Sequence, residues 1–258
     1  NIEELKNQIY NEDCIEFMQK LPNECVDLII ADPPYYKINS KATFDYLWES
    51  QKDYLLWCKR WLLNSFKVLK NNGSIFIYGA KPMIFEIYNI IKDIGFNFHN
   101  EIVWYYATGV PSKKNFRIEN ENILFLTKGE GRDINYDDIR IPYETKDKRH
   151  NKKGKSLGTV WRASRIKPNY KIYMGHPDQK PLELSENMIK GLTNKKDIVF
   201  IPFAGSGSEI VSCIKNNREW IATEINNTYI EDIIKPRIEK INKYKEVNNI
   251  ENTYNLIS

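Results

Sequence analysis

The 258-residue sequence has little cysteine and histidine, and it lacks long apolar runs. Its four cysteines and three histidines form neither a Cys-x-x-Cys pair nor a Cys/His cluster, so we predict no disulfide framework and no metal site. Free thiols suit a reducing compartment, and we therefore expect the protein in the cytoplasm. Apolar stretches such as residues 26–31, which Asp27 interrupts, are far too short to span a membrane.

Positive charge is concentrated in one stretch of the chain. Residues 130–171 hold twelve Lys and Arg against six Asp and Glu, although the net charge of the whole chain is only +4. Aromatic residues lie between these cations, and the combination is typical of a nucleic-acid-binding surface, whereas a charge run alone is more often a solvated loop. Because the stretch lacks helical periodicity, we interpret residues 130–172 as an insertion outside the core.

Strand and helix patterns alternate along the chain, which predicts an α/β fold with a mainly parallel sheet. Apolar runs predict strands over residues 26–31, 74–78, 197–201 and 219–223, and a strand pair over 96–106 and 121–127. Helical spacing predicts helices over residues 51–70, 84–94, 181–192, 208–216 and 228–244. We expect residues 71–73 to end the first helix, Gly95 to end the second, and the last dozen residues to be frayed.

A glycine-containing loop, Phe-Ala-Gly-Ser-Gly over residues 203–207, follows one predicted strand and precedes a helix. Gly205 and Gly207 permit a tight turn and a close approach of a ligand to the backbone. Glu224 ends the next predicted strand, where an acid can accept both hydroxyls of a ribose. A lone Gly-x-Gly is a weak signal, but strand, helix and acid together predict a nucleoside-containing cofactor.

A second loop, Asp-Pro-Pro-Tyr over residues 32–35, follows the strand predicted at 26–31. Pro33 and Pro34 fix the backbone and remove two amide donors, which leaves carbonyls to accept hydrogen bonds. The Asp32 carboxylate and the Pro33 carbonyl can together accept both hydrogens of an exocyclic amine, and Tyr35 offers a flat face to a base. A rigid turn needs only the prolines, so the acid and the aromatic ring favour recognition of an amine.

These two loops resemble the motifs of the amino-group DNA methyltransferases, which use S-adenosylmethionine to methylate adenine or cytosine. The order of the motifs, with the basic stretch between them, is similar to that of the β group, in which the target-recognition region lies between the two. His-Pro-Asp-Gln-Lys-Pro over residues 176–181 and the turn at Asp13 and Cys14 are further matches. The likeness covers about residues 8–240. It implies a Rossmann-like, mostly parallel sheet with helices on both faces and an inserted target-recognition region.

The resemblance also implies the roles of individual residues. Asp32, Pro33, Pro34 and Tyr35 would hold the amine of a flipped-out base, and the initial Asp favours adenine N6 over cytosine N4. The implied cofactor-binding residues are Asp13, Cys14, Asp32, Lys180, Phe203, Ala204, Gly205, Ser206, Gly207 and Glu224. Two alternatives stay open, namely that Asp13 is a helix cap and that Lys180 is a surface lysine. The implied DNA contacts are Lys113, Lys114, Arg117, Lys146, Lys148, Arg149, Lys152, Lys153, Lys155, Arg162 and Arg165.

Some positions depart from the family's usual residues. Ile201 stands where Asp is usual, Ser208 and Glu209 replace Thr-Thr, and Asp178 replaces Thr. We expect Ile201 to reshape contacts near the methionine end of the cofactor. None of these replacements removes a group that the reaction needs.

The resemblance finally implies the organisation and partners of the protein. Residues 1–129 would form the catalytic part, 130–172 the target-recognition region and 173–258 the cofactor-binding part. We expect double-stranded DNA as substrate, a homodimer and a cognate restriction endonuclease. The alternatives are an N4-cytosine enzyme, a non-catalytic subunit, a nicotinamide oxidoreductase and an enzyme acting on RNA. An intact Asp-Pro-Pro-Tyr argues against the subunit, and neither this loop nor the basic stretch fits the oxidoreductase.

Overall fold

The computed structural model of the chain describes residues 1–37, 43–109, 111, 113–143 and 151–248. Within these residues one sheet of eight strands runs in the order β1-β8-β7-β2-β3-β5-β4-β6. The strands are β1 (Gln8–Tyr10), β2 (Val26–Ala31), β3 (Leu69–Gly79), β4 (Asn97–Tyr105), β5 (Asn120–Thr127), β6 (Val160–Arg162), β7 (Ile198–Ile201) and β8 (Glu219–Thr223). Only β5 runs antiparallel to its neighbours, β3 and β4.

Helices cover this sheet. They are α1 (Ile2–Leu5), α2 (Cys14–Lys20), α3 (Gln51–Val68), α4 (Met83–Ile94), α5 (Leu182–Leu192), α6 (Ser208–Lys215), α7 (Asn227–Tyr229) and α8 (Lys235–Asn248), with 3-10 turns at Thr43–Tyr46 and Tyr136–Asp138 and a π-helical turn at Ile230–Ile234. No helix among the described residues is long and apolar enough to cross a membrane.

The central strand β2 is buried on both of its faces, because side chains alternate across a sheet that helices cover on each side. Ile29 and Ala31 belong to one core, together with residues of α3 and α4. Leu28 and Ile30 belong to a second core, together with residues of α5 and α6. The prediction of a mostly parallel sheet with helices on both faces is thereby confirmed.

A buried charge in β2 connects the sheet to the start of the basic stretch. Asp27 is only 1% exposed and accepts hydrogen bonds from Lys70 Nζ at 2.8 Å, Arg132 Nη2 at 2.5 Å and the backbone N–H of Ile198 at 3.0 Å. Arg132 also contacts Asp197 at 2.5 Å. A buried carboxylate is stable only with such partners, so Arg132 holds the chain that enters the basic stretch against the sheet.

The sequence led us to expect the basic stretch outside the core, and this prediction is wrong for part of it. Strand β6 lies within it, pairs with β4 in parallel and forms one edge of the sheet. Trp161 is 6% exposed and packs in the second core. The indole N–H of Trp104 in β4 donates to the carbonyl of Ala163 at 2.8 Å. Periodicity failed here because a three-residue strand is too short to show one.

Two helix boundaries also differ from the prediction. Helix α3 ends at Val68, and residues 71–73 lie inside β3 instead of ending the helix. Leu69 is already extended and pairs with Val26, so sheet pairing overrides the helical spacing of its side chain. The helix predicted over 228–244 continues to Asn248 as α8. The π-helical turn at Ile230–Ile234 comes before α8 and just before Pro236, which has no N–H to donate. The frayed end predicted for the last dozen residues falls mostly at 249–258, outside the described residues.

Candidate active site

The Asp-Pro-Pro-Tyr loop (residues 32–35) and the glycine loop (residues 203–207) follow β2 and β7, which are parallel neighbours in the sheet. The carboxyl ends of parallel strands share an edge, so both loops emerge side by side. They line one cavity of about 320 Å³, and Glu224 at the end of β8 lines it as well. This volume is in the range of small-molecule sites. The structure therefore brings together the two motifs that the sequence singled out.

Asp32 is held by two side chains at the cavity wall. Its Oδ2 lies 2.7 Å from Lys180 Nζ, and its Oδ1 accepts a hydrogen bond from the Tyr35 hydroxyl at 2.8 Å. Burial raises the pKa of Asp32, although Lys180 and Tyr35 oppose this by favouring the carboxylate. Lys180 is only 6% exposed, so it is not a surface lysine. Its ammonium group is directed at Asp32, and a bond to the cofactor carboxylate stays a prediction.

The rest of the Asp-Pro-Pro-Tyr loop is braced from beneath. The buried Asp45 accepts a hydrogen bond from the Tyr35 backbone N–H at 2.7 Å. The Tyr54 hydroxyl of α3 donates to the Pro34 carbonyl at 3.1 Å. Pro33 lines the cavity beside Asp32. The loop is thus fixed before any ligand binds, which is the property that a positioning site needs.

A chain of charges connects Asp32 to the basic stretch. Glu121 of β5 lies 4.0 Å from Lys180 Nζ, and its other oxygen accepts a hydrogen bond from Arg165 at 2.5 Å. The Arg165 guanidinium also stacks on the ring of Tyr106, 4.5 Å from its centroid. Sequence reasoning missed Glu121 because a single acid in a predicted strand carries no local signal.

The glycine loop adopts the conformation that its sequence predicts. Gly205 and Gly207 have φ of +50° and +74°, which favour glycine. The Glu224 carboxylate accepts hydrogen bonds from the backbone N–H of Gly205 and of Asn226, each at 2.8 Å. Burial raises the pKa of Glu224, whereas these hydrogen bonds favour its ionised form. From α8, the buried Arg237 donates to the Ser206 carbonyl at 2.5 Å.

The remaining predicted cofactor residues surround this loop. Phe203 and Ala204 line the cavity, and the Phe203 ring packs on Trp57 and Trp61 at centroid distances of 5.7 and 5.6 Å. Ser206 is also part of the wall, and Gly207 is the residue from which α6 begins.

His176 lies against Gly205. A Cβ atom on this glycine would lie 3.2 Å from His176 Nε2. Burial lowers the pKa of His176 to about 4, so the imidazole is neutral at pH 7. Its Nδ1 accepts a hydrogen bond from the Asp178 N–H at 3.2 Å, which is the geometry of a turn residue.

Asp13 and Cys14 come shortly after β1, whose Tyr10 carbonyl accepts a hydrogen bond from the Glu224 N–H at 3.0 Å, but neither residue lines the cavity. The Asp13 carboxylate caps α2 by accepting from the N–H groups of Ile15 and Glu16, so the predicted alternative of a helix cap is correct. Burial, together with the carboxylates of Asp13 and Glu224, raises the pKa of the Cys14 thiol. Adenine binding by Asp13 and Cys14 stays a prediction.

Five candidate DNA contacts lie at or after the carboxyl ends of β4 and β6, at the edge of the sheet that carries the cavity. Strands β4 and β6 are parallel, so the loop after β4, with Lys113, Lys114 and Arg117, emerges beside Arg162 and Arg165. Arg117 pairs with Glu119 at 2.5 Å, and Arg162 lies over the Tyr105 ring at 5.7 Å. These cations therefore lie on the cavity's edge of the sheet and not on the opposite edge.

Three further candidates lie in the basic stretch before β6. Lys152 and Lys153 are exposed, and Lys153 pairs with Asp137 at 2.8 Å. The backbone of Lys155 forms a bridge with Ile141. Lys146, Lys148 and Arg149 lie outside the described residues.

Comparison with known proteins decides the family. The family model described as DNA methylase, which covers N6 and N4 enzymes, matches residues 26–235. The chain belongs to this DNA methylase family. The sequence-based identification of an amino-group DNA methyltransferase is therefore confirmed, and S-adenosylmethionine is its methyl donor.

Individual relatives agree with the family. Type II methyltransferase M.HpaI of Haemophilus parainfluenzae is 35% identical over 219 residues, which cover 84% of this chain and 69% of that protein. DNA adenine methyltransferase YhdJ of Escherichia coli (strain K12) is 33% identical over 239 residues, covering 86% of this chain and 80% of that protein. Type II methyltransferase M1.MboII of Moraxella bovis is 29% identical over 246 residues, covering 87% of this chain and 94% of that protein.

Solved structures share the fold. The PvuII DNA methyltransferase, described as cytosine-N4-specific, superposes with a TM-score of 0.72 at 20% identity, over 94% of this chain and 92% of that chain. The complex of M1.HpyAVI with S-adenosylmethionine superposes with a TM-score of 0.65 at 25% identity, over 90% and 98%. The predicted Rossmann-like methyltransferase fold is confirmed.

Proposed function

We propose that this chain methylates the N6 amine of adenine at a specific site in double-stranded DNA, as the modification enzyme of a restriction-modification system. The observation that carries the proposal is the braced Asp32, paired with Lys180 on the wall of the cavity that the glycine loop also lines. The proposed acceptors for an amine, Asp32 and the Pro33 carbonyl, and the proposed site for a nucleoside-containing donor thus line one cavity.

The residues of the cavity fit S-adenosylmethionine. Positive φ at two glycines exposes loop backbone to a ligand, and Glu224 presents a carboxylate beside that backbone for the ribose hydroxyls. Phe203 and residues 205–207 would line the methionine side, and Asp13 with Cys14 would meet the adenine. When bound, the cofactor supplies an electrophilic methyl group on a sulfonium.

The chain's own residues would position the target amine. Such an amine is a poor nucleophile because its lone pair is delocalised into the ring. Asp32 and the Pro33 carbonyl would accept its two hydrogens and favour a tetrahedral nitrogen. Tyr35 would stack on the base, which must leave the duplex at a cost of a few kcal/mol. Positioning and electrostatics would supply most of the rate, without a covalent intermediate.

Adenine is favoured over cytosine by the Asp that begins residues 32–35 and by the likeness to YhdJ, which is described as a DNA adenine methyltransferase. The alternative is N4 of cytosine, because the PvuII enzyme with the same fold is described as cytosine-N4-specific. Pairing with an endonuclease is supported by relatives described as Type II methyltransferases. A homodimer is proposed on the β-group resemblance.

Mass spectrometry of nucleosides tests the proposal. Duplex DNA of varied sequence is incubated with the protein and with S-adenosylmethionine that carries a deuterated methyl group, and the nucleosides are then analysed. We expect labelled N6-methyladenine. Labelled N4-methylcytosine would contradict the choice of base, and label in RNA but not in DNA would contradict the substrate.

The basic stretch is expected to grip the DNA backbone. Replacing Lys152, Lys153 and Lys155 with glutamine should weaken DNA binding and reduce the slope of log K against log salt by about 0.9 for each lost phosphate contact. The matched control replaces three exposed lysines of α3 and α4, namely Lys52, Lys59 and Lys92. Fluorescence anisotropy over a range of salt concentrations measures the slope. An unchanged slope in the first variant would exclude these lysines from the interface.

A further inference from the structure

Glu209 is a buried carboxyl group that the mechanism above does not use. It lies in the first turn of α6, directly after the glycine loop, and it lines the cavity. Glu209 is only 5% exposed, yet its Oε1 has no hydrogen-bond partner among the described residues. An unpaired buried carboxyl oxygen is costly, so a group of this kind at a ligand site indicates a partner that arrives with the ligand.

The neighbouring cations do not satisfy this carboxyl group. Lys180 is bound to Asp32 at 2.7 Å, and Arg237 donates to the Ser206 carbonyl. Among the described residues, neither cation forms an ion pair with Glu209. The Tyr78 hydroxyl, whose pKa is raised by burial and by Glu209, is a second buried polar atom without a described partner. Glu209 therefore brings to the cavity wall a buried carboxyl oxygen that no described residue satisfies.

We propose that the Glu209 carboxylate binds the α-ammonium group at the methionine end of the cofactor. The inference rests on the proposed assignment of the glycine loop and Glu224 to cofactor binding. The target amine is neutral and already has acceptors in Asp32 and Pro33, whereas Glu209 belongs to the helix that follows the glycine loop. A sulfonium has no N–H, while an ammonium group offers three donors to a carboxylate.

Glu209 stands where the family that the sequence resembles usually has threonine. A threonine hydroxyl can accept a hydrogen bond, but it carries no charge to pair with an ammonium group. A charge-assisted hydrogen bond is roughly twice as strong as a neutral one. Glutamate in place of threonine would therefore strengthen the binding of the amino-acid part of the cofactor.

The proposed contact makes cofactor binding depend on pH. Burial raises the pKa of Glu209 to about 7, with Asp32 adding to the effect and Lys180 and Arg237 opposing it. A cation that binds only the carboxylate lowers this pKa and releases a proton, so the affinity rises as the pH rises. For one group with a pKa of about 7 in the free protein, the rise is about eightfold between pH 6.0 and pH 7.5.

Calorimetric titration with three ligands tests the proposal without any catalysis. S-adenosylmethionine and S-adenosylhomocysteine both carry the α-ammonium group, whereas 5′-methylthioadenosine lacks the amino-acid part. We expect Glu209→Gln to weaken the first two about tenfold at pH 7.5, to leave the third within about twofold, and to flatten the pH dependence. Equal losses for all three ligands, or no loss, would overturn the proposal. Asp32, Lys180, Arg237 and Tyr78 are present in both proteins, so the pH dependence that remains in Glu209→Gln shows their contribution.

Two controls separate this inference from the assignment of the site. Glu186→Gln removes a buried carboxylate of α5 that pairs with Lys215 outside the cavity, and it should leave all three affinities unchanged. Glu224→Gln should weaken all three ligands, because each keeps its ribose. If Glu224→Gln has no effect, the proposed cofactor site is wrong. If it weakens binding and Glu209→Gln does not, only the role of Glu209 is wrong.

Discussion

Replacement of Asp32 with alanine is expected to abolish methyl transfer while cofactor binding stays nearly intact. Asp32 and the Pro33 carbonyl are proposed to hold the two hydrogens of the target amine, and alanine removes the charged acceptor of this pair. Losing one preorganised group that stabilises developing charge costs about 10²- to 10³-fold in rate. Single-turnover transfer of labelled methyl groups to DNA measures the loss, and calorimetry measures cofactor binding.

The structure requires a second variant at this position. Alanine leaves the buried Lys180 without the carboxylate that lies 2.7 Å away, and breaking such a buried pair destabilises a protein by about 3–5 kcal/mol. Asp32→Asn keeps the shape, and its amide oxygen can accept from Lys180 Nζ while its NH2 donates to the Tyr35 hydroxyl, so it is expected to fold and yet to lose transfer. Asp197→Asn, which disturbs an ion pair with Arg132 where β7 begins, is the matched control and should transfer normally. Full activity in Asp32→Asn would contradict the role of Asp32 as a charged acceptor.

Replacement of Gly205 with valine is expected to lower cofactor affinity by about 10²-fold or more. The position has φ of +50°, where a residue with a Cβ is strained by about 1–2 kcal/mol. The added Cβ would also lie 3.2 Å from His176 Nε2, so the His176 ring or the loop must move. Such a movement would disturb the hydrogen bond between the Gly205 N–H and Glu224. Calorimetry with S-adenosylhomocysteine measures the affinity.

Gly158→Val is the control for this variant. A Cβ at Gly158 meets nothing within 4 Å, so the same substitution adds the same side chain without a clash. Thermal unfolding of both variants should show folded proteins, which separates loss of the site from loss of the fold. Normal cofactor binding by Gly205→Val would show that the ligand does not approach this loop.

Local chemistry explains what could be predicted before the structure. Strands β2 and β8 have the bounds predicted for them, 26–31 and 219–223. Strands that are buried on both faces have short, nearly continuous runs of apolar residues, which the sequence shows directly. Gly95 ends α4 in the left-handed conformation that its lack of a side chain permits. The two motif loops were expected at strand ends, and their meeting at one cavity follows from parallel strands sharing an edge.

By itself, the sequence determined the family, the order of the central elements and the loops that carry Asp32, Gly205 and Glu224, since these depend on short, local patterns. Only the tertiary structure decided which side chains meet, namely Lys180 with Asp32, and Glu121 with both Lys180 and Arg165. It also decided that β6 forms one edge of the sheet. It also decided that Glu209 lies buried beside the glycine loop. These contacts join residues far apart in the chain, and a side chain's neighbours across such distances are set by the packing of whole elements.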